Sequence, residues 1–452
     1  MNYEKIIRTI DLLENLLIAR LESFSKDNFP NHFTLPIHGL EVDLLDFLDA
    51  CSVNDKIYFK SLYDDSEILT FGCNKKIVSK LTNTEKHFNT INRINKDKLS
   101  RFYAILSFQD HHTDKDPTWS NLDESIYIQP LIEIIKKKNN DAFLYVHYDK
   151  KESDYIEFFL NFFKQLKESV TINAPKQLES FKFEQFPNKK DWKENLSLAI
   201  EEMNSSVLQK VVLSRKSIAT FKDNIDGCKL LKLFMGREKN CSVFYYEQTK
   251  ESIFFSITPE KLYLRHKDYI EVDAIAGTRS ISDNGFYSGE LLSSTKDHLE
   301  HELVVQGIIN NLQRVSGGIK IKYKHQLVKL SKVQHLKTLI TAKLNKDSDD
   351  FKLISSLQPT AAIGGTPRED ALKCISKIEQ FNRGFYTGIA GLITNEYTEF
   401  LVLIRSCLIQ ANLVHFYVGA GIVPESNPED EWEELNSKLA NYMEGLNELS
   451  RI

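Results

Sequence analysis

The sequence predicts an α+β fold in which strands and helices are interleaved along the chain. Two short apolar runs rich in aromatic and branched residues, at 102–108 and 142–148, have the composition of strands. The N-terminal segment instead repeats its apolar residues with the period of an amphipathic helix. Strands and helices that alternate in this way are typical of layered sheet-and-helix folds.

Recognisable elements are denser in the second part of the chain. The first of them are a helix near 191–204, a strand at 207–215, a pair of strands within 243–264, a strand at 271–279 and a helix at about 295–314. Turns rich in glycine and proline are predicted at 357–367. The last elements are strands near 385–394, 399–409 and 413–419 and a helix at about 428–448. In the first part of the chain, segment 110–120 is predicted to be a loop.

The composition and charge of the 452 residues restrict the class of protein. A chain of this length forms one large domain or up to about three average ones, and 42% hydrophobic residues allow a sizeable core. The net charge of −5 and the lack of a long basic run argue against a nucleic-acid-binding protein. A small anionic molecule could still be bound by local cations or by a metal ion.

The cysteines and the apolar segments indicate the cellular compartment in which the protein is expected. Six cysteines occur at irregular spacings without a CxxC pair, which argues against a disulfide framework and favours reduced thiols in a cytosol. The N-terminal helix mixes acidic and basic residues with apolar ones, unlike a signal peptide. No stretch of 18 uncharged apolar residues exists, so we expect no membrane span and a cytoplasmic location.

The last predicted helix carries two stripes of different character. Asn427 can cap the helix, and Pro428 suits its first turn. Its apolar stripe consists of Trp432, Leu435, Leu439, Met443 and Leu446. A second stripe holds Glu431, Glu434 and Lys438, and two carboxylates three residues apart can share a hard cation such as Mg²⁺. Taken alone, such a stripe is more often a solvated face with a Glu–Lys pair.

The predicted helix at 295–314 repeats this pattern, because Asp297 and Glu300 are also three residues apart. Two histidines, His298 and His301, flank Glu300, but their spacing and order fit neither of the related zinc motifs. Oxygen-rich ligands favour Mg²⁺ over zinc. Alone, this pattern also is most often a surface stripe.

Two basic residues lie in predicted strands. Arg405 lies in FLVLIRSCLI, whose alternating faces are both apolar, as in a central strand. Such an arginine needs an anionic partner, which is either an internal carboxylate, the somewhat favoured alternative, or a substrate carboxylate. Lys210 in QKVVLSR could act as a general base if it is desolvated, although most lone lysines in strands are exposed.

Four residues stand at or beside predicted turns. Glu260 follows a strand in SITPEKL. Gly277 in AIAGTR, and Gly419 and Gly421 in VGAGIV, allow backbone N–H groups to approach an anion closely. For each glycine alone, an ordinary tight turn is the commoner explanation.

Together and in order, the segments from about 190 to 450 resemble the chorismate-utilising enzymes, which include isochorismate, salicylate, anthranilate and aminodeoxychorismate synthases. The resemblance is carried by QKVVLSR, SITPEKL, AIAGTR, KDHLEHELVVQGI, LQPTAAIGGTPR, RGFYTGIAGLI, the predicted strand ending at Arg405 and GAGIVPESNPEDEWEELNSK. It implies a single large domain of two stacked antiparallel β-sheets flanked by helices. Residues 186–452 would form the chorismate-binding catalytic core, and the more divergent residues 1–185 would complete the sheets.

The resemblance also implies roles for individual residues. Lys210 would be the base that activates water, and Glu260 the acid that protonates the departing hydroxyl group. The implied Mg²⁺ ligands are Glu300 and Glu434, with Glu431 and Asp297 close by. The residues implied to hold the two carboxylates of chorismate, through side chains or backbone amides, are Arg405, Tyr386, Lys438, Gly277, Thr278, Gly419 and Gly421.

Three positions separate the branches of the family. Aminodeoxychorismate synthases carry a nucleophilic lysine where Ala276 stands, and anthranilate synthases typically carry a glutamine where Lys210 stands. Gln358 stands where siderophore and salicylate enzymes commonly have histidine, and glutamine there is similar to menaquinone-pathway isochorismate synthases.

We therefore expect an isochorismate synthase that acts on chorismate with water and Mg²⁺, for menaquinone biosynthesis, without a glutamine amidotransferase subunit. The alternatives within the family are a salicylate synthase and a siderophore-pathway isochorismate synthase. From a different class, the alternative is a non-catalytic protein that binds a carboxylate metabolite. Intact candidates for both acid and base argue against that last alternative, because a protein that only binds needs neither.

Overall fold

The computed structural model describes residues 3–24, 30–81, 84–94, 98–108, 116–149, 154–171, 180–280 and 288–451. The α-helices in this part of the chain are α1 (Tyr3–Glu22), α2 (Leu44–Ala50), α3 (Thr84–Ile94), α4 (Tyr155–Glu168), α5 (Lys189–Ser205), α6 (Gly227–Arg237), α7 (Ser288–Ser293), α8 (Thr295–Leu312), α9 (Asp350–Leu357), α10 (Arg368–Ile378) and α11 (Pro428–Arg451). None of these helices is both long and apolar enough to cross a membrane.

The strands in the same residues alternate with these helices. They are β1 (His32–Ile37), β2 (Lys56–Lys60), β3 (Glu67–Ser79), β4 (Arg101–Leu106), β5 (Ser125–Lys136), β6 (Ala142–His147), β7 (Lys182–Phe186), β8 (Lys210–Thr220), β9 (Ser242–Thr249), β10 (Ser252–Thr258), β11 (Lys261–His266), β12 (Tyr269–Ser280), β13 (Ser316–Lys329), β14 (Val333–Leu344), β15 (Gly365–Thr366), β16 (Ile389–Thr394), β17 (Tyr397–Val402), β18 (Ser406–Gln410) and β19 (Leu413–Ile422).

The strands pair in antiparallel register and form two sheets that share β5. The first sheet runs in the order β1, β6, β5, β3, β2, β9, β10, β18, β19, β8 and β7, with β15 beside the start of β8. The second runs in the order β5, β4, β16, β17, β11, β12, β14 and β13. Strand β5 serves both sheets because residues 125–128 pair with β4 and residues 132–136 pair with β6.

Three apolar cores separate the layers. Because side chains alternate across a strand, Tyr103 and Ile105 of β4 point into a core between the two sheets, where they meet Phe244 and Tyr246 of β9. The alternate residues of β4, including Phe102, point to the opposite face, into a core that α3, α8 and α9 cover. The remaining long helices, among them α1, α5 and α11, cover the outer face of the first sheet. The predicted α+β fold of two stacked antiparallel sheets flanked by helices is confirmed.

The helices at both ends of the chain follow their apolar periodicity. In α1, Ile6, Ile10, Leu13, Leu17 and Leu21 are buried. Helix α11 begins as predicted, because the Asn427 side chain accepts hydrogen bonds from the backbone N–H groups of Glu429 and Asp430, at 2.9 and 3.3 Å. Of the loop predicted at 110–120, Pro117–Trp119 form a short 3₁₀ turn, and residues 110–115 lie outside the described residues.

The predicted strand at 399–409 is wrong, because the chain crosses there from one sheet to the other. Strand β17 ends at Val402 in the second sheet, and β18 starts at Ser406 in the first. Arg405 lies in the crossing segment with φ +50°, so it is not a central-strand residue. Where a pair of strands was predicted within 243–264, the structure has three, β9, β10 and β11. Glu260 lies at the crossing between β10 in the first sheet and β11 in the second. Two predicted site residues therefore stand where the chain passes between the sheets.

Candidate active site

A cavity opens where these crossings meet the N-terminal halves of α8 and α11. Most of the residues singled out in the sequence line it, namely Lys210, Glu260, Thr278, Glu300, Tyr386, Arg405, Gly419, Gly421, Glu434 and Lys438. Three others, Gly277, Asp297 and Glu431, lie beside the cavity but are not part of its lining. Residues that are far apart in the sequence thus converge on one site.

Lys210 is held at the start of β8, where the backbone pairs with Thr366 of β15. Its side chain is 1% exposed, and its Nζ lies 3.0 Å from Glu300 Oε1 of α8. This contact needs a glycine opposite, because a Cβ on Gly421 would lie 2.5 Å from Glu300 Oε1 and 2.9 Å from Lys210 Cε. Lys210 is therefore not an exposed strand lysine but a buried amine that faces the cavity.

Glu260 faces the same cavity from the crossing between the sheets. Its backbone is fixed by a hydrogen bond from Val402 N–H, at 3.0 Å, and its residue is 3% exposed. Burial, reinforced by the negative charge of Asp273, raises the pKa of Glu260 to about 8 against the opposing charges of Lys210 and Lys337. At neutral pH this carboxyl is mostly protonated, so it can donate a proton.

The acidic residues of α8 and α11 are held by basic side chains. Glu434 Oε1 lies 2.7 Å from Lys438 Nζ, and Glu431 Oε1 accepts hydrogen bonds from Lys296 Nζ at 3.0 Å and Ser426 Oγ at 2.7 Å. Asp297 is buried and lies 2.8 Å from Arg279 Nη2.

The neighbouring charges shift the pKa values of these acids and of Lys296 in different directions. Burial alone would raise the pKa of Glu300, but Lys210, Lys438 and Lys296 outweigh it and hold the pKa below its ordinary value. Burial, followed by the charge of Glu434, raises the pKa of Glu431. Burial would lower the pKa of Lys296, yet the charges of the surrounding glutamates raise it. Carboxylates from two helices therefore converge beside the cavity.

These carboxylates suit a hard divalent cation better than a soft one. Among the described residues, no group of three or more His, Cys, Asp or Glu side chains is already arranged around a common metal position. Glu300 and Glu434 nevertheless both line the cavity, with Glu431 beside them, and carboxylate oxygens are the ligands that Mg²⁺ prefers. The donor set present thus fits Mg²⁺, with the lysines as competing partners.

Arg405 has the internal carboxylate partner that its sequence context favoured, and it also faces the cavity. Its Nη1 lies 3.5 Å from Glu238 Oε2, a long contact with an internal carboxylate, and the guanidinium also lines the cavity. Tyr442 fixes the crossing by donating its hydroxyl to the Arg405 carbonyl at 2.7 Å. The guanidinium therefore presents a positive charge to the cavity while it contacts Glu238 and His335.

The opposite wall of the cavity is built by β19 and the Tyr386 region. Tyr386 stacks on Tyr417 with ring centroids 5.4 Å apart, and a Cβ on Gly419 would lie 2.7 Å from the Tyr386 hydroxyl oxygen. Lys438 Nζ donates to the Gly419 carbonyl at 2.7 Å. A glycine at 419 thus lets the Tyr386 hydroxyl group approach the strand closely.

Gly277 interrupts β12 at a bulge. It has φ +74°, and the register of β12 against β14 shifts between Ala276 and Thr278. The bulge turns Thr278 towards the cavity, where its Oγ1 lies 3.0 Å from His335 Nδ1.

His335 is a cavity residue that the sequence did not reveal. Arg405 Nη2 lies 3.1 Å from its Nε2. Because a guanidinium only donates, Nε2 must accept, so the neutral ring carries its proton on Nδ1 and donates it to Thr278. Burial, and then the charges of Arg405 and Lys438, lower the pKa of His335 well below its ordinary value. His335 is therefore a neutral link between Thr278 and Arg405.

Sequence comparison relates the chain to known families. The sequence model of a family described as "Chorismate binding enzyme" matches residues 19–447. Isochorismate synthase MenF of Escherichia coli (strain K12) is 34% identical over 259 residues, which cover 56% of this chain and 60% of that protein. Isochorismate synthase MenF of Bacillus subtilis (strain 168) is 26% identical over 465 residues, which cover 94% and 96%. The chain thus aligns with about 60% of the length of the Escherichia coli relative and with nearly all of the Bacillus one.

Solved structures give the same relationship. The menaquinone-specific isochorismate synthase from Escherichia coli superposes with a TM-score of 0.82 at 26% identity, covering 96% of this chain and 99% of that one. Anthranilate synthase component I from Streptococcus pneumoniae TIGR4 superposes with a TM-score of 0.68 at 15% identity, covering 83% and 92%, which shows a shared fold. On its fold and on the match over almost its whole length, the chain belongs to the chorismate binding enzyme family.

Proposed function

We propose that this protein is an isochorismate synthase, which adds water at C2 of chorismate and removes the hydroxyl group at C4. The observation that carries the proposal is one cavity that holds a buried amine, Lys210, and a carboxyl with a raised pKa, Glu260. An enzyme that adds water at one carbon and expels a hydroxyl group from another needs a base and an acid at the same time. The similarity to proteins named isochorismate synthase supports the same assignment.

Chorismate carries two carboxylates, and the cavity offers cations for both. Arg405 would hold one carboxylate in a bidentate contact, with the Tyr386 hydroxyl beside it. Lys438 and the backbone amides at Gly277, Thr278, Gly419 and Gly421 would assist binding. A dianion placed there would be flanked on one side by Lys210 and on the other by Glu260.

Lys210 would take a proton from the water that adds at C2. Its amine is nearly removed from solvent and lies 3.0 Å from Glu300 Oε1. Mg²⁺ held by Glu300 and Glu434, with Glu431 and Asp297 close by, would supply positive charge to the ring carboxylate of the substrate. Gly421 leaves room for the amine and the Glu300 carboxylate beside the strand, which a Cβ would fill.

Glu260 would deliver its proton to the hydroxyl group that leaves C4, so that it departs as water. The protons then balance, because Lys210 gains one from the incoming water and Glu260 loses one to the outgoing water. The raised pKa of Glu260 gives it this proton at neutral pH.

The activity should fall as the pH rises through about 8, because the acid form of Glu260 is lost above its pKa. We expect kcat/KM measured against pH to decline by about tenfold per pH unit on the basic side. A carboxyl with an unshifted pKa would already be ionised near pH 5, so a profile that is flat from pH 7 to above 9 would contradict the role of Glu260.

Two positions favour isochorismate as the final product. Ala276 lines the cavity and offers no amine that could form a covalent adduct with the ring. Gln358 is not a lining residue, but its Nε2 donates to the Thr387 carbonyl at 2.7 Å, and Thr387 lines the cavity. A neutral amide there provides no titratable ring for the elimination of pyruvate. We therefore place the protein in menaquinone biosynthesis, with a salicylate or siderophore-pathway enzyme as the alternative.

The proposed nucleophile and the cysteines suggest which partner subunit and which cellular compartment to expect. Water needs no glutamine amidotransferase subunit to supply it, so we propose that none is required. All six cysteines are free thiols, which supports a cytoplasmic location.

Incubation with chorismate and Mg²⁺, followed by chromatography, tests the function. Isochorismate as the single product would support the proposal. Salicylate together with pyruvate would move the assignment to the salicylate synthase alternative. Anthranilate that appears only with ammonia, or binding of chorismate without any product, would overturn it.

A further inference from the structure

A gap in the edge of the first sheet lies beside the cavity. Along the edge of β8 that faces away from β19, neither β7 nor β15 reaches residues 212–215. Two side chains bind the backbone there instead. Arg383 Nη2 donates to the Val212 carbonyl at 2.7 Å, and the Ser214 N–H group donates to Glu379 Oε1 at 2.7 Å. Side chains thus satisfy backbone groups that a neighbouring strand would otherwise bind.

Glu379 and Arg383 form a bidentate ion pair in the interior. Arg383 Nε lies 2.8 Å from Glu379 Oε2, and Nη2 lies 2.5 Å from Oε1. Arg383 is 0% exposed and Glu379 is 5% exposed. The guanidinium also lies over the ring of Phe108, with Cζ 4.6 Å from the ring centroid. Apolar residues of similar volume often replace such a buried pair without loss of stability, so a gain in stability explains this pair poorly.

Arg383 also binds other parts of the cavity wall. Its Nη1 donates to the Ile363 carbonyl at 3.0 Å and lies 3.4 Å from Thr387 Oγ1. Its own carbonyl accepts a hydrogen bond from the Tyr386 N–H group at 3.0 Å. The residues that Arg383 joins in this way all line the cavity, namely Val212, Ile363, Tyr386 and Thr387. One arginine therefore connects three separate segments of the wall.

We propose that the Glu379–Arg383 pair positions the proposed reaction by fixing the start of β8, which carries Lys210, against the turn that carries Tyr386. The inference rests on the proposed function and adds to it two residues that are not part of the cavity lining. Its physical basis is the steep dependence of rate on geometry, since a displacement of about 1 Å between reacting groups can cost about 10²-fold.

Replacing both members of the pair with methionine separates positioning from stability. The Glu379→Met/Arg383→Met protein leaves no buried charge unpaired, so it should remain folded. It loses the side-chain hydrogen bonds to Val212 and Ser214, so we expect kcat per folded molecule to fall by about 10- to 100-fold. If this protein does not fold, Glu379→Gln serves as the second variant, because it keeps the shape of the side chain and an acceptor for the Ser214 N–H group. It should lower kcat to a smaller extent.

Arg265 and Asp350 provide the matched control pair. They are joined by two contacts of 2.7 Å, Nε to Oδ1 and Nη2 to Oδ2, and both side chains are largely buried. Neither residue lines the cavity. The Arg265→Met/Asp350→Met protein should therefore keep a kcat close to that of the wild type. A normal kcat in the folded Glu379→Met/Arg383→Met protein, or equal losses in the two double variants, would show a purely structural role and overturn the proposal.

Hydrogen exchange followed by mass spectrometry gives a readout without turnover. In the Glu379→Met/Arg383→Met protein, peptides that contain Ser214 and Tyr386 should exchange faster than in the wild type, and those around Arg265 should not. Unchanged exchange at both segments would contradict the proposal even if isochorismate is formed. Faster exchange, in a protein whose wild type forms no isochorismate, would show that the pair fixes the cavity walls while the proposed function alone falls.

Discussion

Replacing Lys210 with methionine should lower kcat for the conversion of chorismate by roughly 10²- to 10⁴-fold, the range expected for loss of a general base. Methionine keeps most of the length and the apolar body of the side chain, so the change removes mainly the amine. Arg405 and Lys438 remain in place, and KM for chorismate should therefore change much less than kcat. Initial rates at saturating Mg²⁺ measure both parameters.

Lys296→Met is the matched control for this variant. Lys296 also pairs with a glutamate of α11, the buried Glu431 at 3.0 Å, but its own side chain is 41% exposed and does not line the cavity. The variant should cost less than about tenfold in kcat, because this amine does not face the substrate. Because Lys210→Met leaves the Glu300 carboxylate without its partner, thermal unfolding must show that the variant is folded. A folded Lys210→Met protein with nearly normal kcat would refute the base assignment.

Replacing Glu434 with glutamine should weaken Mg²⁺ binding by at least about tenfold, because even indirect ligand partners are worth that much at metal sites. Glu434 lines the cavity together with Glu300, and glutamine preserves its size while removing the charge. Titration calorimetry with Mg²⁺ alone gives the affinity directly. The Mg²⁺ concentration for half-maximal activity should rise in parallel.

Glu433→Gln provides the comparison on the same helix. Glu433 is exposed and is not part of the cavity lining, so this variant should bind Mg²⁺ like the wild type. Equal affinities of the Glu434→Gln, Glu433→Gln and wild-type proteins would show that the ion, if required, is held elsewhere. Loss of affinity in both variants would indicate only a general effect of charge on α11.

The parts of the fold that could be predicted are those set by local periodicity. Helices α1, α8 and α11 follow their apolar stripes closely, because one buried face decides the whole element. The hairpin of β13 and β14 was not predicted, since most residues of β13 are exposed and polar and carry no strand alternation. The strand assigned across Arg405 was wrong because both sheets bury their residues, so the apolar pattern continues through the crossing.

The candidate site likewise contains residues that the sequence predicted and residues that it did not. The sequence was sufficient to predict Lys210, Glu260 and Arg405 as site residues, because each stands in a recognisable family segment. Only the structure shows that Glu260 and Arg405 lie at crossings between the sheets. His335 belongs to no such segment. It reaches the cavity through its pairing with Thr278 across β12 and β14. Register between strands so far apart in sequence is not encoded in any local pattern.

The central claim is that Lys210 and protonated Glu260 exchange an incoming water for the C4 hydroxyl group of chorismate. Conversion of chorismate with Mg²⁺ in water enriched in oxygen-18, followed by mass spectrometry, tests it most directly. We predict that the isochorismate formed carries one heavy oxygen, in its C2 hydroxyl group. Isochorismate without the label would mean that the hydroxyl group moves within the substrate, and it would contradict the acid–base mechanism derived from this cavity.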